Sequence, residues 1–259
     1  MPEKRHNEKN KTAENNEQTL ICGRNAVIEA LKSDTLIDLV FVNKNAGGSI
    51  SRICAMAAEK GIPVKQVDEK KLDHMTAGSA HQGTAAMLGC AEYHSVRDIL
   101  DLAKEKGEAP FIIICDEIED PHNLGAIIRT AEAAGAHGII IPKRRSASLN
   151  HTVHKTSAGA VSHIMTARVP NLVAAVKELK EGGVWIFGTD MEGESIYRTD
   201  LKGGLAFVIG SEGFGMGRLM RENCDFLVSL PMFGKVNSLN ASVAAGICMY
   251  EAVRQRKIQ

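Results

Sequence analysis

The sequence predicts an α/β fold in two units, on three observations. Aliphatic runs of about five residues without polar alternation recur beyond residue 110, the mark of strands covered on both faces of a parallel sheet. Helical patterns separate those runs. Ahead of them, from Ile21 to about Glu92, lies a segment long enough for a small domain, with an α/β pattern of its own. Residues 1–18 are polar and highly charged, with too little apolar surface to offset ordering entropy, and predict a disordered tail. The first unit, residues 19–92, reads as helix Asn25–Lys32, strand Leu36–Asn43, helix Ser49–Lys60, strand Pro63–Val67 and short helix Asp68–Met75. A turn at His81-Gln82-Gly83 then leads into strand Thr84–Leu88. Residues 93–109 carry one amphipathic helix on Val96, Ile99, Leu100 and Ala103, ended by Gly107, and read as a linker. The second unit, residues 110–259, has strands Phe111–Cys115, Gly138–Pro142, Val184–Gly188, Ala206–Gly210 and Phe226–Leu230. Its helices are Leu124–Ala134 stopped by Gly135, Leu172–Glu181 stopped by Gly182, and a long one over Leu239–Arg256.

Composition excludes several classes. The chain has 259 residues, 44% hydrophobic and 24% charged, and no apolar stretch approaches the roughly 18 residues of a membrane span. The first residues lack the apolar core of a secretory signal, so a cytoplasmic protein is expected. Six cysteines lie far apart with no CxxC, which points to reduced thiols and away from a disulfide framework or a metal site. Thirty-one basic and 31 acidic residues cancel, so no global cationic field announces nucleic acid. Their distribution is uneven. Between Glu132 and Glu178 there is no acidic residue, while Lys143, Arg144, Arg145, Lys155, Arg168 and Lys177 fall there with His137, His151, His154 and His163. Two readings stand: a surface that meets phosphates, or a loop neutralised in space by Asp116, Glu117, Glu119 and Asp120.

Ligand sites of open α/β sheets gather at the carboxyl ends of the strands. After Phe111–Cys115 come Asn123, placed to cap a helix, and Arg129, set among Ala126, Ile127, Ile128 and Ala131. A buried arginine needs a partner, whereas a surface arginine can snorkel. After Ala206–Gly210 comes Ser211-Glu212-Gly213-Phe214-Gly215-Met216-Gly217, whose glycines let backbone approach a ligand. Glu212 is the carboxylate expected to pair with Arg129; the alternative is a tight turn with an exposed glutamate. Neither GxGxxG nor GxxxxGK[ST] occurs. After Phe226–Leu230, Asn237, Ser238, Asn240 and Ser242 open the last helix, more such residues than capping requires.

Together NLGAIIRTAEAAG, FVIGSEGFGM and LPMFGKVNSLNASVAAGI resemble, in order and spacing, the three motifs of the SpoU/TrmH family of RNA ribose 2′-O-methyltransferases. The resemblance covers about residues 110–256. The Ile21–Glu92 segment resembles the small ribosomal-protein-like RNA-binding domain of rRNA-modifying members, which points to those that methylate guanosine riboses in bacterial 23S rRNA. The resemblance implies a carboxyl-terminal segment threaded into a deep trefoil knot, S-adenosylmethionine as cofactor, a homodimer with composite sites, and no metal. It assigns catalytic roles to Asn123, Arg129, Glu212, Ser238 and Asn240. It places the cofactor around Thr189, Gly210, Glu212, Gly213, Leu230, Met232, Leu239 and Asn240. Arg129 would favour the developing oxyanion of the ribose hydroxyl or act as a base, with Glu212 orienting it. With RNA as substrate, Arg144, Arg145, His154 and Lys155 are expected to grip its backbone; the alternative is a loop that takes no part.

Overall fold

The computed structural model describes residues 20–44 and 47–257. The predicted tail, residues 1–18, lies outside the described residues. The chain divides into two compact units, one reaching Cys90 and including Leu149–His151, the other comprising Ala91–Ser148 and the chain from Thr152 onward.

The first unit is built from β1 (Leu20–Cys22), α1 (Arg24–Lys32), β2 (Ile37–Asn43), α2 (Ile50–Glu59), β3 (Val64–Val67), α3 (Glu69–Met75) and β4 (Thr84–Leu88). Its sheet has the order β1-β4-β2-β3, with β2 and β3 parallel and the other pairs antiparallel. Alternation along β2 serves both faces. Val40 and Val42 join Val27, Leu31 and Ile53 in one core, while Phe41 joins Val67 and Leu72 in the other. Asp68 starts α3 by accepting the Lys71 N–H at 2.8 Å.

The second unit opens with α4 (Val96–Glu105), followed by β5 (Phe111–Cys115), α5 (Pro121–Ala133), β6 (Gly138–Pro142), α6 (His151–Thr156) and β7 (Met165–Val169). Then come α7 (Leu172–Glu181), β8 (Trp185–Ser195), β9 (Leu205–Ile209), α8 (Arg218–Asn223), β10 (Phe226–Ser229) and α9 (Ala241–Lys257). All its strand pairs are parallel, in the order β10-β8-β9-β5-β6-β7. Every residue of β5 and β9 is buried, as continuous apolar runs in a doubly covered sheet require. The chain moves outward from β5 through β6 to β7, then returns to the other side of β5. The loops after β5 and β9 therefore leave adjacent strands at the point where the order reverses.

Residues 93–109, expected as a linker, are part of this packing. Ser95 and Asp98 form a capping box at the start of α4, and Val96 and Ile99 lie in one core cluster with Ile112, Ile114 and Ile140. A Cβ at Gly138 would lie 2.5 Å from the Ile99 side chain, so β6 accepts the helix only because it begins with glycine. The helix after β5 begins at Pro121, not Leu124, because a proline in the first turn suits helical φ and Asp120 accepts the His122 N–H at 2.9 Å. Asn123 is therefore inside the helix rather than its cap. All six cysteines are free, Cys115 and Cys248 buried and the others half-buried. Burial pushes the Cys115, Cys224 and Cys248 thiols up to about 12. Among the described residues no helix is long and apolar enough to cross a membrane, and no cluster of His, Cys, Asp or Glu could hold a metal ion.

Candidate active site

The glycine-rich loop after β9 closes on itself. Ser211 and Gly215 exchange backbone hydrogen bonds of 3.0 and 2.9 Å. A Cβ on Gly210 would stand 2.3 Å from the Gly215 carbonyl carbon, so this close approach requires glycine. The far end of the loop is tied to the neighbouring strand: the Gly217 N–H donates to Asp116 Oδ2 at 2.8 Å. Asp116 follows β5 directly and is buried; burial raises its carboxyl pKa and the Gly217 N–H opposes the rise. Sequence reasoning missed this clamp, for which an acidic residue directly after a buried strand was the available signal.

The loop presents Glu212 to three donors from two other segments. Glu212 Oε1 accepts Asn123 Nδ2 at 3.0 Å, the Ala241 backbone N–H at 3.2 Å and Asn240 Nδ2. Asn240 Nδ2 also donates to Asn123 Oδ1 at 2.9 Å, closing a ring of three side chains. Asn240 performs a second task. Its Oδ1 accepts the N–H groups of Ser242 and Val243 at 3.0 and 3.2 Å and the Ser242 hydroxyl at 2.6 Å, satisfying the open start of α9. The carboxylate thus sits at a helix N-terminus, where aligned peptide dipoles favour negative charge. Among the described residues Glu212 Oε2 makes no hydrogen bond, leaving an exposed acceptor.

Three of the five catalytic candidates are thereby brought together from strand ends far apart in sequence. Arg129 is not. It is exposed on α5, and Glu212 is held by the two asparagines and the Ala241 N–H instead of by a guanidinium. The expected ion pair within one chain is absent, because the apolar neighbours of Arg129 in sequence turn to the core on other faces of the helix while Arg129 itself faces water. Ser238 is exposed two positions before Asn240. Of the expected cofactor residues, Thr189 donates its hydroxyl to the Val208 carbonyl at 2.9 Å, Gly213 adopts φ 89°, Leu230 is half-buried, and Met232 and Leu239 are each 37% exposed.

The acid-free segment is less uniformly free than its composition suggested. Arg145 Nη1 pairs with Glu117 Oε1 at 2.8 Å, so one expected backbone contact is already neutralised. The Glu117 carboxylate holds the Arg145 guanidinium pKa above its usual value. Arg144 lines a groove of about 440 Å³ beside Asp116, Asn171 and Gly217. His154 and Lys155 are exposed on α6. His137 is 2% exposed and takes no part in any outer surface; its Nδ1 accepts the Phe111 N–H at 3.0 Å and its Nε2 meets Glu108 Oε2 at 3.1 Å.

Fold and site define a class, an α/β protein whose polar side chains gather on the loops at the carboxyl edge of a parallel sheet. Known proteins of similar sequence and structure agree. Residues 110–250 match the SpoU rRNA Methylase family, and residues 20–94 match the RNA 2′-O ribose methyltransferase substrate-binding domain. A Bacillus subtilis protein, YacO, assigned to TrmH family tRNA/rRNA methyltransferases, is 51% identical over 238 residues, covering 91% of this chain and 95% of its own. A Staphylococcus aureus protein of the same assignment is 45% identical over 242 residues, covering 93% and 97%. Among solved structures, the rRNA methyltransferase of Sinorhizobium meliloti with AdoMet bound superposes with TM-score 0.59 at 26% identity, covering 91% of this chain and 87% of that one. The A. aeolicus TrmH/SpoU tRNA-modifying enzyme covers 62% of this chain and 84% of its own at 29% identity and TM-score 0.54. The chain belongs to the SpoU/TrmH methyltransferase family and carries that family's amino-terminal substrate-binding domain.

Proposed function

We propose that this chain transfers the methyl group of S-adenosylmethionine to a ribose 2′-hydroxyl of RNA, and that the nucleotide is a guanosine of 23S rRNA. The ring Asn123–Glu212–Asn240 carries the reading: it is a preorganised polar set beside a glycine-rich loop, facing solvent, at a strand-end crevice. The residues present fit the cofactor. Gly213 leaves its backbone open, Gly210 lets the loop fold closely on itself, Thr189 lies on the neighbouring β8 and Leu230 directly after β10, Met232 and Leu239 offer apolar surface, and Glu212 complements a sulfonium. S-adenosylmethionine supplies the electrophilic methyl carbon, and the protein's contribution is alignment and charge.

A ribose hydroxyl is a poor acid, so its oxygen needs help as the proton leaves. Arg129 favours the developing oxyanion as a fixed cation; an arginine base is the less ordinary role. Asn123, through its remaining Nδ2 hydrogen, and Ser238 fix the ribose and its phosphate by hydrogen bonds, while Asn240 holds Glu212 and Asn123 in place. Because Arg129 forms no ion pair among the described residues, we assign the working form to a homodimer in which each site is composite. Exposed Phe214, Phe233, Val236, Val243 and Tyr250 support a surface that a second copy covers. The carboxyl-terminal segment is proposed to thread the trefoil knot of the family, in a cytoplasmic protein. Arg144, His154 and Lys155, with Arg145 released from Glu117, are proposed to hold the RNA backbone.

The rRNA reading is supported by length: the rRNA methyltransferase of S. meliloti aligns with 91% of this chain, and the tRNA-modifying enzyme of A. aeolicus with 62%. Labelled methyl transfer to purified rRNA and tRNA tests the choice. Transfer to 23S rRNA that disappears when residues 1–92 are deleted supports it. Transfer to tRNA alone assigns the other substrate.

A further inference from the structure

A second concave surface lies at the opposite edge of the same sheet. A cleft of about 850 Å³ is lined by the segment entering β5, the turn and loop between β8 and β9, and the last turn of α9. Helix α9 connects the two places. Asn240 stands at its start, while Gln255 near its end bonds the Leu201 N–H and the Thr199 carbonyl at 3.0 Å each. Sixteen positions from Asn240 to Arg256, at about 1.5 Å per residue, separate them by roughly 24 Å.

The lining is cationic. Arg198, Lys202, Arg254, Arg256 and Lys257 outnumber the carboxylates Glu108 and Asp200. Three of these cations are uncommitted: among the described residues Arg198, Lys202 and Lys257 form no ion pair, and all three are exposed. Arg254 is held by Glu251 and Arg256 by the Ala109 carbonyl and the Phe111 ring, so these two build the wall. Tyr197 lies on the same wall with 55% of its surface open to water. Clustered cations beside an exposed aromatic ring are what a single-stranded nucleic acid meets, phosphates on the charges and a base on the ring. An acidic peptide would use the charges and leave the ring without a role.

We infer that this cleft is a second RNA-binding site, which grips a single-stranded stretch of the substrate through Arg198, Lys202 and Lys257 and stacks a base on Tyr197. The inference rests on the RNA reading above and adds an anchoring point remote from the methylated ribose.

The test uses the full-length protein and a fluorescein-labelled, mixed-sequence single-stranded RNA about 20 nucleotides long, followed by anisotropy across a salt series. The variant R198Q/K202Q/K257Q removes the three cations without touching a structural bond. It is expected to bind about tenfold more weakly at low salt, with the log–log salt slope reduced by about 2, near 0.7 for each phosphate no longer neutralised. Tyr197→Ala is expected to lower affinity about tenfold with the slope unchanged. Calorimetric affinity for S-adenosylmethionine stays at the wild-type value in both. Wild-type RNA affinity and slope in the triple variant, with methyl transfer intact in the unsubstituted protein, overturn the cleft alone. If the unsubstituted protein neither binds the RNA nor transfers a methyl group to RNA, the RNA reading falls with it. Triple-variant-sensitive binding of polyglutamate in place of RNA overturns the inference in favour of an acidic protein.

Discussion

The interior of the second sheet and the loops at its carboxyl edge follow opposite rules. Ile112, Ile113 and Ile114 are wholly buried, whereas Phe214, five residues beyond the equally buried β9, and Phe233, four residues beyond β10, are 95% and 98% exposed. The strands are held by apolar burial, the loops by directed polar bonds such as Asn123–Glu212, Asn240–Glu212 and Gly217–Asp116. Stability and chemistry are thereby separated. A buried strand residue can be changed at the expense of the fold, and a loop residue at the expense of the reaction.

That contrast can be broken in order of expected size. Ile113→Ala leaves a cavity in the sheet and should cost about 2–5 kcal/mol in urea unfolding, while folded molecules keep their turnover number. A loss below about 1 kcal/mol would mean that the sheet relaxes freely. Arg129→Ala should do the reverse, lowering turnover by roughly 10²–10³ with unfolding and cofactor affinity unchanged. Normal turnover removes Arg129 from the mechanism. Replacing Arg144 and Arg145 together by alanine should weaken RNA binding about tenfold in a salt-dependent way. Arg144→Ala alone should account for most of that, since Arg145 is engaged by Glu117; an equal contribution from Arg145 would show that its pair opens on binding.

The smallest effect is a pH dependence of the scaffold. Burial lowers the His137 pKa, with Glu108 opposing, and its Nδ1 must stay unprotonated to accept the Phe111 N–H. The native state then binds fewer protons than the unfolded chain as pH falls below the ordinary histidine value of about 6.5. His137 therefore contributes stability that is complete above that value and is lost as pH falls through the lowered native pKa. Urea midpoints across this window should fall less in His137→Gln than in the unsubstituted protein; parallel curves would exclude the imidazole as the source.

Sequence patterns reveal the strands that are apolar throughout, and the helices that follow them, to within a residue or three. β8 runs on to Ser195, seven residues past the expected Gly188, an extension the pattern misses because the second half of the strand, TDMEGES, is polar. β7 escapes because Thr166 and Arg168 interrupt its apolar run, β1 because its three residues give no period, and α8 because its sequence RLMREN is mostly polar. The helix at 96–105 is visible as a helix; its role is not, since an amphipathic stripe says that a face is covered but not by what. The asparagine and glutamate positions of the site are legible from their motifs. The partner of Glu212 is not, because the apolar sequence neighbours of Arg129 suggest burial, whereas helical geometry places it on the outer face.

The most direct test of the central claim maps ribose 2′-O-methyl groups in rRNA and tRNA from cells with and without this protein. Under the proposed function, one guanosine of 23S rRNA loses its methyl group and regains it with the unsubstituted chain, but not with Arg129→Ala. An unchanged set of ribose methyl groups in every RNA would contradict it.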